Sequence, residues 1–256
     1  MHFPFPMTPE EAGRGFAVAF FSVMPGAGAS TLACLTALAL AEAENARNRN
    51  RGVALADLHP QGKARSYLGL TPDVCPASIV DAAAALTPEE IRMAGVEHPR
   101  GLFVLPGPIR PLDAYQVDTP LTLRVVTSLK RVFPLSVVIS GPLHGAGWIA
   151  AMACDLVCLV ASPDRTCLDV FRETVDLLHR LGCGGRFKVI LNQSGAPGGL
   201  REGEINEALK PDAVIPYDPA LRAANNKRYP SPGKYARTLV ALVPSRQENS
   251  FLVKKE

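Results

Sequence analysis

None of the six cysteines (Cys34, Cys75, Cys154, Cys158, Cys167 and Cys183) is spaced as C-x-x-C. Small zinc modules and thiol–disulfide motifs depend on that spacing, so neither organises this chain. A zinc site from Cys154, Cys158 and His144 is conceivable by residue type, but its spacing argues against it. Several of these cysteines lie inside apolar stretches and read as buried, reduced thiols of a cytosolic protein. Aromatic residues are also scarce, 6% of the chain with one tryptophan, and the net charge is only +3. Such a charge does not by itself imply a nucleic-acid partner. The opening "MHFPFPMTPEEAGRG" lacks the basic and apolar regions of a secretion signal. No charged side chain occurs from Phe16 to Ala41, a length able to span a bilayer. However, "MPGAGAS" breaks that run, and a lipid-exposed break would strand backbone polar groups. The membrane-span reading is therefore rejected.

What remains is a chain of 256 residues, 47% hydrophobic and 20% charged, enough to bury a full core. We expect one domain over 15–245, with flexible segments at 1–14 and 246–256. Short β-branched runs at 16–23, 53–57, 102–107, 136–140, 155–161, 187–193 and 213–218 read as strands. They lack alternation, which suits strands covered on both faces. Helices fit at 30–46, 77–94, 118–132, 165–181, 201–209 and 234–243. The expected fold is α/β, a mostly parallel central sheet with helices on both faces in three layers. Ligands of such sheets sit beyond the carboxyl ends of the strands. The loops after Val23, Asp57, Ser140, Asn192 and Pro216 are therefore the places to look for chemistry.

The first of these loops, Gly26-Ala27-Gly28-Ala29-Ser30-Thr31, joins a strand to a helix. Small residues let backbone N–H groups approach a phosphate, and the helix N-terminus adds a favourable field. Ser30 is placed to hold Mg²⁺ if a nucleotide binds; alternatively, Ser30 and Thr31 cap the helix. The complete motif G-x-x-x-x-G-K-[ST] needs lysine where this chain has Ala29. Spacing alone leaves an ordinary βα turn equally open.

The chain from about Phe16 to Val243 resembles the ParA/MinD class of P-loop ATPases with a deviant Walker A loop. Within that class it is most similar to the CpaE/TadZ branch of Flp-type pilus assembly. "MPGAGASTL" matches the deviant loop, and "VALADLHPQGKARSYLGL" the next strand and its switch segment. "SIVDAAAAL", "GLFVLPGPIRP", "VVISGP" at the Walker B strand, "DLVCLVASPDRTCLDVFR", "KVILNQ" and "VIPYDPALRAANNKRYP" follow in order. Carried over residue by residue, the signature lysine is Met24, the next glycine Pro25, and the Walker lysine Ala29. The second switch aspartate is His59 and the Walker B aspartate Ser140. Gly26, Gly28, Ser30, Asp57 and Asn192 are kept. The resemblance places Asn192, Pro216 and Asp218 in the base-contacting region; otherwise they form a polar turn after a buried strand. Asp57 is then a relic switch residue that caps the turn at "HPQG" or forms an ion pair. His144 and Trp148 read as a loop histidine and a core tryptophan, with a partner contact as the other reading.

Phosphoryl transfer rests on positioning and charge neutralisation, and one arginine finger contributes about 10³–10⁵ in rate. Losing both lysines and the Walker B carboxylate therefore argues against fast ATP hydrolysis. Backbone amides survive, so weak binding of ATP or ADP with Mg and an empty retained pocket stay equally open. The resemblance implies a cytoplasmic homodimer, recruited to the inner membrane or cell pole, that serves a pilus or secretion apparatus. Alternatives are a BcsQ-like cellulose-synthase regulator, an ATPase with rearranged ligands and a ParA-like DNA-binding partition protein. From Arg222 onward about eight basic residues face two acidic ones, and "NARNRNRG" (45–52) is a second basic spot. Solvated charge is the preferred reading of both, ahead of DNA, acidic proteins or anionic lipid.

Overall fold

In the strand β1 (Phe16–Ser22) every interior residue is buried. Val18 and Phe20 enter one core, while Ala17, Ala19 and Phe21 enter another. This period of two places apolar side chains on both faces, so the strand must lie inside a sheet covered on each side. The computed structural model describes residues 15–46, 52–71, 73, 75, 77–84, 87–141, 143 and 145–244. The segments expected at 1–14 and 246–256, His144 and the arginines of the 45–52 spot lie outside them.

After β1 come helix α1 (Ala29–Ala46), β2 (Val53–Asp57), α2 (Lys63–Tyr67), α3 (Pro88–Met93), β3 (Val96–His98) and β4 (Leu102–Leu105). Next are α4 (Thr119–Val132), β5 (Leu135–Ile139), α5 (Ala146–Ala153), β6 (Leu156–Ala161) and α6 (Arg165–Arg180). The described chain closes with β7 (Phe187–Ser194), α7 (Glu202–Leu209), β8 (Ala213–Pro216), α8 (Pro219–Asn226) and α9 (Ala236–Leu242). The sheet order is β3-β4-β2-β5-β1-β6-β7-β8. Only β3 runs antiparallel to its neighbour. Helices α1, α2 and α9 pack on one face, α3, α4, α5 and α6 on the other. A smaller apolar cluster joins β7 to α6 and α7.

All seven expected strands form. The edge strand β3 was not expected, because "VEH" is short and two of its three residues are polar. The single helix expected over 77–94 does not form. Its span divides into a 3₁₀ turn at Asp81–Ala84 and α3, which starts where Thr87 and Glu90 form a reciprocal cap. Pro88 lacks the N–H a continuous helix would use, so the chain restarts there. Helices α2, α5 and α8 were also not expected; each is eight residues or shorter, too short for a clear periodic signal.

This topology decides where a ligand can enter. From β1 the chain crosses to β2 on one side; from β5 it passes over to β6 on the other. The crevice beyond the carboxyl end of β1 is thus a topological switch point.

Candidate functional site

Between β1 and α1 the chain makes a tight turn in which the Ala27 N–H donates to Met24 O at 3.2 Å. Gly26 and Gly28 have φ of 92° and 98°, a region that disfavours any side chain. Gly28 is doubly constrained, because a Cβ there would lie 2.3 Å from Asn192 Nδ2. The N–H groups of Gly28, Ala29, Ser30 and Thr31 have no backbone acceptor among the described residues; the first helical bond runs from Leu32 to Gly28 O. No acidic side chain occupies the first turn of α1. A row of unsatisfied donors at a helix N-terminus, with its partial positive charge, is suited to an anion.

The loop is fixed from across the sheet. Asn192 Nδ2 donates to Ala27 O at 2.7 Å and Gln193 Nε2 to Gly26 O at 3.2 Å. Asn225 Nδ2, on α8, donates to Thr31 Oγ1 at 3.3 Å. Ala29 is buried, with no amine to offer the cleft.

Beyond the strand ends lies a cleft of about 680 Å³, lined by the β1–α1 loop, Ser140, Asn192, Pro216 and Asp218 among others. That volume suits a small-molecule ligand. The structure therefore brings together every expected loop residue facing solvent and the three expected base-region residues. Their freedom differs. Asn192 has its amide nitrogen committed to the loop. Asp218 caps α8 through the Ala220 N–H (2.9 Å), accepts from Tyr235 Oη at 2.9 Å and pairs with Lys234 at 3.0 Å. The hydrogen bond from Lys234 holds its carboxyl below the usual range.

Asp57 ends β2 and is fully buried. Its two oxygens accept from the N–H groups of His59 (3.0 Å) and Ala64 (2.7 Å), which closes the "HPQG" turn and starts α2. No ion pair reaches it among the described residues. Burial pushes its pKa up to about 6, against the pull of those two hydrogen bonds and of Lys63 and Arg65. His59 is pushed down to about 4, by burial and then by Lys63; its Nδ1 accepts from the Gln61 N–H at 3.1 Å. It is a neutral imidazole at pH 7. Ser140, at the end of β5, is buried, and its Oγ has no hydrogen-bond partner among the described residues.

Two cleft residues were given no site role by the sequence, Arg222 having been read as solvated charge. Lys63, the first residue of α2, and Arg222, on α8, are the only lysine or arginine side chains among the described lining residues. Both fall inside segments that carry the resemblance, "VALADLHPQGKARSYLGL" and "VIPYDPALRAANNKRYP", and both follow strand ends already marked for chemistry. One reading is corrected here. Trp148 is not a core residue: it is 40% exposed, and its indole N–H donates to Leu143 O. The buried side of α5 is taken by Gly147, Ala150 and Ala151. All six cysteines are buried and none is paired.

Solved structures share this architecture. A ParA family ATPase from Chlorobium tepidum superposes with a TM-score of 0.75 at 19% identity, over 90% of this chain and 98% of that one. MinD complexed with Mg-ADP from Pyrococcus horikoshii gives 0.73 at 19%, over 94% and 98%. The Aquifex aeolicus MinC:MinD complex gives 0.67 at 20%, over 91% and 99%. The chain has the MinD/ParA fold. No protein-family model matches the sequence, and no curated protein does. Among the described residues no helix of the MinD/ParA-like sheet is long and apolar enough to cross a membrane.

Proposed function

We propose that this protein holds an adenine nucleotide in the cleft without hydrolysing it briskly, and works as a localisation or assembly factor. The observation that carries this is a contrast within one site. The cradle from Gly26 to Thr31 keeps the free N–H groups of Gly28, Ala29, Ser30 and Thr31, while Ala29 and Ser140 stand where the resemblance expects a lysine and an aspartate. Anion binding needs the former; fast phosphoryl transfer needs the latter. Asp57 then serves as a structural cap, and Asn192, Pro216 and Asp218 border the base. The order of motifs supports the CpaE/TadZ branch, and with it Flp/Tad-type pilus or secretion machinery. A homodimer formed through the nucleotide face, in the cytoplasm and recruited to the inner membrane or cell pole, completes the reading. The complex of MinD with MinC supports a protein partner in general terms.

Phosphate release with Mg·ATP tests the biochemical half. The expected result is turnover near the no-enzyme baseline while a fluorescent nucleotide still binds. Turnover at one per second or so, ordinary for an enzyme, would overturn it. Deleting the gene tests the cellular half: surface pili should be lost, and intact pili with lost cellulose would transfer the protein to polysaccharide synthesis.

A further inference from the structure

The fold's relatives include one complexed with Mg-ADP, yet around this cleft Ser30 offers a divalent cation one neutral oxygen, and no uncommitted carboxylate among the described residues joins it. Magnesium is held by one or two carboxylates together with phosphate oxygens and water. Among the described residues the only carboxylate lining the cleft is Asp218, already engaged by Lys234, Tyr235 and the start of α8. Asp57 spends one oxygen on each of two backbone N–H groups. Ser140, at the Walker B place, offers a buried hydroxyl with no partner. No three His, Cys, Asp or Glu side chains converge on a metal position among the described residues.

Positive charge enters from elsewhere. Lys63 and Arg222 line the same cleft and make no ion pair with any described residue. Their helices, α2 and α8, pack against each other. The backbone at Lys63 is fixed on both sides: Asp57 holds the Ala64 N–H after it, and Gly62 before it has a φ of 53°. A Cβ on Gly62 would lie 2.2 Å from Pro108 O, so this entry into α2 requires glycine.

We propose that this cleft binds a nucleoside di- or triphosphate without a divalent cation, with Lys63 and Arg222 neutralising the phosphates where relatives use magnesium. The inference rests on the nucleotide reading above. Each side chain forms charge-assisted hydrogen bonds with phosphate oxygens while the β1–α1 loop donates its N–H groups. The orphan Ser140 hydroxyl gains an acceptor from the same ligand.

The test is a titration of the full chain with N-methylanthraniloyl-ADP, once with excess Mg²⁺ and once with EDTA. The two Kd values should agree within about twofold. Lys63→Ala and Arg222→Ala should each weaken binding by about tenfold in EDTA, while Arg180→Ala, on the exposed end of α6, leaves it unchanged. Both helices remain intact in these variants, because neither side chain is buried. Binding that vanishes in EDTA and returns with Mg²⁺ overturns the metal-free assignment and leaves the nucleotide reading standing. Failure to bind under either condition overturns both. Wild-type affinity in Lys63→Ala and Arg222→Ala removes those two residues from the site.

Discussion

Replacing Asp57 by asparagine isolates the electrostatic cost of a carboxylate sealed at the end of β2. The buried carboxyl titrates near 6 against 3.8 for a free one. At ~1.4 kcal/mol per pKa unit, keeping it ionised costs about 3 kcal/mol. The sign follows from which state holds the proton more tightly. A raised folded-state pKa means that Asp57 contributes stability below pH 3.8 and loses it as pH rises through about 6. Asparagine cannot ionise, so the variant lacks this slope. It also presents one acceptor oxygen to two N–H groups, a penalty of about 1–3 kcal/mol that does not change with pH. Lys63, Arg65 and Cys34 face Asp57 electrostatically and are common to both proteins, as is His59, which titrates near 4. Urea denaturation followed by circular dichroism, from about pH 4 to pH 8, gives the difference directly. Wild type should lose about 2.5 kcal/mol relative to Asp57→Asn across that range, because the unfolded carboxyl is already partly ionised at pH 4. Parallel curves would mean that burial does not perturb the group. A wild type that gains stability with pH would mean that its hydrogen bonds outweigh desolvation.

Other substitutions probe the packing and chemistry around the cleft. Gly28→Ala places a Cβ 2.3 Å from Asn192 Nδ2 at a φ of 98°. It should cost about 2–4 kcal/mol in urea unfolding and weaken nucleotide binding; a loss under about 1 kcal/mol would show that the loop adapts freely. Lys130, on α4, pairs with Asp155 at 2.7 Å, and Asp155 also accepts from the Ala17 N–H at 2.7 Å. Asp155→Ala strands a nearly buried ammonium and a strand donor, so about 3–5 kcal/mol should be lost; Lys130→Met should cost clearly less. Ala29→Lys should leave phosphate release near baseline, because Ser140 and Met24 remain. Brisk release from that single change would show that the other losses count for little.

Why the fold was readable and the cleft only half so is a matter of range. β1, β2 and β6 are apolar runs up to the polar residues Ser22 and Asp57 at the carboxyl ends of the first two, because both their faces are buried. β3 carries less of that burial pressure: it is an edge strand with one neighbour, so the exposed Glu97 and half-buried His98 are tolerated there and conceal it. The turn at 26–31 was readable from its glycines, since Gly26 and Gly28 have positive φ and a distant residue, Asn192, leaves no room for a side chain at 28. The cations are different. Lys63 and Arg222 meet at one cleft only because α2 and α8 pack against each other, and each is an ordinary surface residue within its own segment. Trp148 fails the other way, for its bulk suggests a core while its N–H is satisfied by Leu143 O on the outer side of α5. Asn192 shows how the two ranges interact. The residue that resemblance assigns to a base is also the strut under Ala27, so Asn192→Ala should loosen the cradle itself. If so, it should weaken inorganic pyrophosphate and ADP alike. A loss confined to ADP would show instead that the side chain contributes through the base alone.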